Sequence, residues 1–412
     1  ALVAAALLVA WLYHAPLGVL WAALAQNERR VVMFGFDTNR LKAVAFAASG
    51  LLAGVGGAIY APQQGLVTPQ LVGFALSADL VIWAAVGGRA RLLGPAIGAI
   101  AIGVLASELR DRVAFWEIAL AVVFIVVVLF FPEGLAGIFA PLARRRRTAS
   151  VAAPIMAPPR GEHADARLEI DDVQVRVGEV TILDRLALAL DRPAIYCVIG
   201  PNGAGKTSTF DVLTGELPVQ SGSVRFDGHA LERLPTHRVV RLGIGRKFQI
   251  PSVFPHLTIA DNVAIALWSG RARPLELLRP RLRRWSTPLL DALRERYPFL
   301  ADSERTAAAL SHGERQILEL SMALLGEPRV LLLDEPCAGL SPEETAAVID
   351  AIRWARTQRR ATIVVIEHDM ALVRTLADHV FVLHNGSVLA DGSVAAIQAD
   401  PKVQAIYVGA AK

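Results

Sequence analysis

Gly200-Pro201-Asn202-Gly203-Ala204-Gly205-Lys206-Thr207 follows directly on the apolar run Ala194-Ile195-Tyr196-Cys197-Val198-Ile199. An apolar strand that enters G-x-x-x-x-G-K-T and then opens a helix is the context that defines a phosphate-binding loop. The glycines let backbone N–H groups close around an anion at the helix N-terminus. Every residue from Gly200 to Thr207, with Ser208 after it, is therefore a candidate nucleotide contact. Lys206 is placed to reach the β- and γ-phosphates, and the Thr207 hydroxyl to ligate Mg²⁺, so the cofactors read from this stretch are ATP and Mg²⁺.

A second stretch completes the chemistry. Val330-Leu331-Leu332-Leu333-Asp334-Glu335 reads as a buried strand that ends in two carboxylates. Downstream of a phosphate loop, Asp334 suits a Mg²⁺ site reached through water, and Glu335 suits a group that orients or deprotonates the attacking water.

Outward from these motifs the composition changes sharply. The chain has 412 residues, of which 54% are hydrophobic, and the excess lies in residues 1–140. Against the ~20 apolar residues a spanning helix needs, four regions stand out: about 1–25, 42–60, 78–107 and 115–131. The third is interrupted by Gly87-Gly88-Arg89-Ala90-Arg91, where charge favours a turn between two shorter segments. The chain opens Ala1-Leu2-Val3 inside an apolar run, without methionine or a basic lead-in, and reads as a truncated membrane domain rather than a signal peptide. Gly50, Gly54, Gly56 and Gly57 suit close helix packing in lipid. Asp79, ionisable within an apolar segment, is a candidate substrate-path residue, whereas Glu117 lies near a span end and suits interfacial exposure. Leu20–Ala25 followed by Gln26-Asn27-Glu28-Arg29-Arg30 suits a short helix presented to a cytoplasmic partner.

The net charge of +4 owes much to Arg144-Arg145-Arg146-Arg147 and to arginines scattered over 271–284. Such clusters can bind nucleic acid, but a cluster directly after a hydrophobic span marks its cytoplasmic end; membrane lipid, and no nucleic acid, is the expected partner. Residues 141–166, rich in Pro, Ala and Arg, read as a flexible linker. Cys197 and Cys337 sit in apolar patterns and read as core residues rather than a disulfide or metal pair.

Leu310-Ser311-His312-Gly313-Glu314-Arg315-Gln316 lies between the two nucleotide motifs. Here residues 167–412 resemble the ATP-binding cassette (ABC) family, with His312 and Glu314 departing from the commonest signature. The resemblance implies that Ser311 and Gly313 contact nucleotide held by an opposite subunit. It implies that Gln249, in Arg246-Lys247-Phe248-Gln249, links metal and γ-phosphate to the membrane partner. It also implies that His368, in Ile366-Glu367-His368-Asp369, is a catalytic switch beside the γ-phosphate, and that Gly339-Leu340-Ser341-Pro342 forms a dimer contact. The aromatic that usually stacks on adenine is replaced by Val177.

The first half is similar to the C-terminal part of a branched-chain amino acid importer permease, through Ser49–Gly54, Val86-Gly87-Gly88-Arg89 and Leu93-Gly94-Pro95. Gly245–Gln249, Leu310–Gly313 and Ile82–Arg89 are most similar to the urea-type branch. The fold class implied is a helical transmembrane domain (1–140) followed by an α/β P-loop NTPase domain (167–412) with a helical subdomain at about 236–325. The implied function is ATP-driven import of urea or short amides across the bacterial cytoplasmic membrane, or of branched-chain amino acids as the alternative. The partners implied are a second ATP-binding subunit and permease half, and a periplasmic solute-binding protein. An exporter would carry long spans with large cytoplasmic extensions, and a non-transport ATPase would leave residues 1–140 without a role.

Overall fold

A computed structural model of the chain describes residues 2–64, 73–88, 93–110, 112, 115–131, 134–138, 154–158, 166–359 and 361–409. Arg144–Arg147 lie outside the described residues. The chain divides into two compact units, Ala1–Ala15 with Ala43–Ala153, and Pro16–Lys42 with Pro154–Lys412. Residues 16–42, which hydropathy assigns to the membrane half, thus cluster with the nucleotide half.

The apolar region 1–25 is not one continuous helix. It breaks at Ala15 into α1 (Leu2–His14) and α2 (Pro16–Gln26), because Pro16 is tolerated in the first turn of a helix but not in its interior. A short α3 (Glu28–Val32) follows, capped by Asn27, whose Oδ1 accepts from Arg30 N at 2.9 Å. Next comes α4 (Thr38–Gln64), whose first turn counts with the second unit. Of the described helices, α4 alone is by itself long and apolar enough to cross a membrane, over Thr38–Pro62.

The expected interruption near residue 88 is present, separating α5 (Phe74–Gly87) from α6 (Gly94–Arg110), although residues 89–92 lie outside the described set. These two helices pack backbone to backbone. A Cβ on Gly98 would fall 1.9 Å from Trp83 O, so only glycine permits the contact. Val86, Ile102 and Val127 form the buried centre, the last from α7 (Trp116–Phe130). Gly50, Gly54, Gly56 and Gly57 do not behave this way: a Cβ there meets no described atom within 4 Å. Asp79 is exposed on α5.

The second unit is built on two sheets. β2 (Leu168–Val177), β3 (Val180–Leu190), β5 (Ser221–Phe226) and β6 (His229–Ala230) form an antiparallel sheet in the order β3-β2-β5-β6. The larger sheet has the order β12-β11-β4-β10-β9-β7. Its strands are β4 (Ile195–Ile199), β7 (Ile244–Lys247), β9 (Val330–Asp334), β10 (Thr362–Ile366), β11 (His379–His384) and β12 (Ser387–Gly392). All its pairings are parallel except β11–β12. β4, β9 and β10 are fully buried, as their unbroken apolar runs require. Cys197 and Cys337 are buried free thiols, and burial pushes each up to about 12.

Helices Ile259–Trp268, Pro288–Arg296 and His312–Leu325 lie between β7 and β9 in sequence, within the range 236–325 expected as a helical subdomain, while β7 belongs to the larger sheet. Within the linker range, β1 (Ile155–Met156) pairs in parallel with β8 (Trp285–Ser286), and Ala157 N donates to Ser286 O at 2.9 Å.

Candidate functional site

Strand register gathers the site. Ile366 pairs with both Asp334 and Val198, and Lys247 with Leu333, so β4, β7, β9 and β10 end at one edge of the sheet. Ligand sites of open α/β sheets form at such carboxyl ends. Gly200, Gln249, Glu335 and His368 each follow within two residues of a strand end.

The phosphate loop folds as the spacing predicts. Gly205 caps the helix Lys206–Leu213 with a left-handed φ of 99°, and a Cβ on Gly200 would fall 2.2 Å from Leu383 O. Lys206 Nζ donates to Gly200 O at 2.8 Å and Pro201 O at 3.0 Å. Burial pushes its pKa down, while Glu335 and Asp334 push it back up. Thr207 is exposed and Ser208 half-buried at the start of the same helix.

The carboxylates sit opposite. Burial raises the pKa of Asp334, against the pull of Arg246, whose Nη2 is 3.6 Å away. Glu335 holds φ 41°, a left-handed conformation that costs of order 1–3 kcal/mol in a residue with a side chain. Its N–H donates to Ile366 O at 3.0 Å, which ties the turn to β10. Gln249 Nε2 donates to Glu335 Oε2 at 2.7 Å, and His368 Nδ1 lies 3.7 Å from Glu335 Oε1. The structure thus brings Gln249, Glu335 and His368 together. Among the described residues no three His, Cys, Asp or Glu converge on a metal-sized site, but Mg²⁺ commonly takes one or two carboxylates and completes its shell with phosphate oxygens and water. An ammonium, a hydroxyl and two carboxylates around a left-handed glycine loop fit MgATP.

Ser311 and Gly313 stand apart from this cluster. Ser311 caps the helix His312–Leu325 in a reciprocal box with Glu314. Gly313 N donates to Glu344 Oε1 at 3.1 Å, and Glu344 Oε2 accepts from Ser341 N at 3.0 Å. Among the described hydrogen bonds and ion pairs, none joins Ser311 or Gly313 to residues 200–208. Val177 is 54% exposed at the tip of the β2–β3 hairpin.

The second feature of the site is the docked segment 16–42. Phe248, one residue before Gln249, is surrounded by guanidinium groups: the carbons of Arg29, Arg246 and Arg30 lie 4.5, 5.0 and 5.9 Å from its ring centre. Arg29 and Arg246 both bond Asp211 and Glu216. Arg30, 1% exposed, donates to Arg246 O at 2.8 Å and pairs with Glu319 at 3.3 Å. Asn27 Nδ2 donates to Ser252 Oγ, His256 N to Gln26 Oε1, and Arg241 Nε to Gly35 O. The sequence places Arg29 and Arg30 in a short helix presented to a cytoplasmic partner but does not single out Glu319. An acid at an inward position of an amphipathic helix was the available signal.

Two stretches of the chain match two family models: residues 183–338 match "ABC transporter", and residues 1–131 match "branched-chain amino acid transport system / permease component". BraF of Pseudomonas aeruginosa, a high-affinity branched-chain amino acid transport ATP-binding protein, is 33% identical over 59% of this chain and 98% of its own length. The chain belongs to the ABC transporter family. LivG of Escherichia coli, named for the same role, is 34% identical over 59% of this chain and 98% of its own. A nucleotide-free ATP-binding cassette from an ABC transporter superposes with a TM-score of 0.51 at 25% identity, covering 59% of this chain and 98% of that one. The ADP conformation of MJ1267, an ATP-binding cassette of an ABC transporter, gives 0.51 at 26% identity over 59% and 99%. The second unit is accordingly an ATPase that uses ATP with Mg²⁺, in a membrane-associated transporter.

Proposed function

We propose that the chain is the ATP-hydrolysing component of an importer in the bacterial cytoplasmic membrane, multi-pass, with its cassette in the cytoplasm. It would move a small polar solute delivered by a periplasmic binding protein, beside a second permease and ATP-binding half. The observation that carries this reading is the stretch Arg246–Gln249. Gln249 bonds Glu335, while Arg246 and Phe248 touch Arg29 and Arg30 of the docked segment. A shift of the carboxylate on turnover therefore pulls on residues that lead into α4, the candidate span.

Bound MgATP supplies the phosphoryl group for hydrolysis. Lys206 and the loop amides of 200–208 would hold the phosphates, and Thr207 and Asp334, with Gln249, the metal. Glu335 would orient and deprotonate water, and His368 would sense its carboxylate. Ser311 and Gly313, free of the loop in this chain, suit a nucleotide held across a cassette dimer. Asp79 remains a candidate for the solute path.

Two solute classes are supported. The relatives' names support branched-chain amino acids; the stretches Gly245–Gln249, Leu310–Gly313 and Ile82–Arg89 support urea or short amides. Reconstituted uptake with the cognate binding protein decides between them, using labelled leucine against labelled urea. ATP-independent uptake of both, or uptake of neither under stimulated ATPase, would overturn the importer reading.

A further inference from the structure

Arg271, Arg273, Arg279, Arg281, Arg283 and Arg284 share a fourteen-residue stretch with one acid, Glu276. They lie in an insertion of two 3-10 helices, Pro274–Leu278 and Pro280–Arg284. The insertion is anchored from below: Leu277 and Leu282 are buried, and Trp268 Nε1 donates to Leu282 O at 3.0 Å. Arg271 and Arg283 face inward to Glu327 and Asp261. Arg273, Arg279 and Arg281 are exposed and form no ion pair with a described residue. Glu276 is already engaged by Arg273 N. Leu275, 77% exposed, projects from the same basic surface, and Met156 of β1, 63% exposed, pairs beside Ser286 at its end.

What this surface packs against indicates its partner. Both 3-10 helices contact α2. α2 begins at Pro16, two residues after the apolar α1 ends, and α1 carries exposed Trp11 and Tyr13 near that end, residues enriched at the edge of a bilayer. The docked segment runs on to Lys42, within the helix whose candidate span begins at Thr38. In sequence the segment is therefore bracketed by a bilayer-edge pattern on one side and the candidate span on the other. Unpaired arginines around a projecting leucine match phosphate headgroups and the acyl boundary beneath them.

We propose that the arginine-rich insertion is a peripheral contact for anionic phospholipid headgroups, with Leu275 entering the headgroup layer. The proposal rests on membrane association and not on the identity of the solute.

The test uses the full chain in nanodiscs of phosphatidylcholine, alone or mixed with phosphatidylglycerol. Leu275→Cys is labelled with an environment-sensitive fluorophore, the two native cysteines being buried. In phosphatidylglycerol discs the probe should shift to the blue and be quenched by spin-labelled lipid. R273Q/R279Q/R281Q should cut the quenched fraction by about threefold or more, and R273K/R279K/R281K should restore it. ATP turnover by the triple Gln variant in detergent, retained, shows that the fold and the ATPase reading stand independently. A solvent-exposed probe in both lipids overturns the proposal. So does equal quenching in both, or a probe that responds only to added single-stranded RNA, which would make the surface a nucleic-acid contact.

Discussion

Arg30 Nη1 lies 3.3 Å from Glu319 Oε1, and neither side chain is more than 1% exposed. Glu319 also has Lys247 Nζ at 3.8 Å, so one carboxylate serves two buried cations. Burial pushes both cations' pKa values down and Glu319 pulls them back up. Arg30 Nε and Nη2 and Glu319 Oε2 lack hydrogen-bond partners. Pairs satisfied this incompletely contribute little net stability, yet removing one member costs about 3–5 kcal/mol. Glu319→Gln should cost more than Arg30→Met, because it strands two cations rather than leaving one pair. The double variant should recover part of the loss. Chemical denaturation of the three variants measures the cycle, and additive losses would refute the coupling.

Glu335→Gln removes the base while keeping an acceptor for Gln249. ATP turnover should fall by about 10²-fold or more, with nucleotide binding within about twofold of the parent, since the phosphates are held by the loop amides. Turnover assays with and without equilibrium nucleotide binding separate the two effects.

Glu367 predicts a pH dependence. Burial raises its pKa to about 7 from an ordinary carboxylate value of 4.5, and its Oε1 has no hydrogen-bond partner. Between those values the folded chain binds more protons at this site than the unfolded chain. Its contribution to stability is therefore full below pH 4.5, declines as pH rises, and is lost above about 7. Glu367→Gln should melt closer to its acidic value at pH 8 than the parent does. Melting curves at pH 5.5 and 8 check the sign; parallel shifts in both proteins would exclude Glu367.

In the helical unit, Gly98→Leu should destabilise by about 1–3 kcal/mol or more, because its Cβ would strike Trp83 O. At Gly54 an added Cβ meets no described atom within 4 Å, and Gly54→Leu should stay within about 0.5 kcal/mol. Thermal melts in detergent compare them.

Local pattern carried much of this reading. The loop 200–208 and the strand end Asp334-Glu335 are contiguous motifs whose chemistry depends on near neighbours, and the parallel sheet follows from their apolar runs. Hydropathy overran Pro16 because it measures composition and not the proline's backbone restriction. Small-residue spacing pointed to Gly50, Gly54, Gly56 and Gly57, whereas the close backbone contacts among the described residues fall at Gly87, Gly94 and Gly98. The Arg30–Glu319 pair joins residues far apart in sequence, and only the tertiary fold makes them neighbours.

Residues 16–42 complete the cassette's surface even though the chain places them long before it. A fragment beginning near residue 166 would keep every nucleotide motif and still lose Arg29 and Arg30 from the face of Phe248. It would leave Glu319 without Arg30, and Ser252 and the His256 amide without their partners. Expressed alone, such a fragment would lack the side chains that residues 16–42 lay over Phe248 and Glu319. The domain boundary of practical use runs through space, not through the linker.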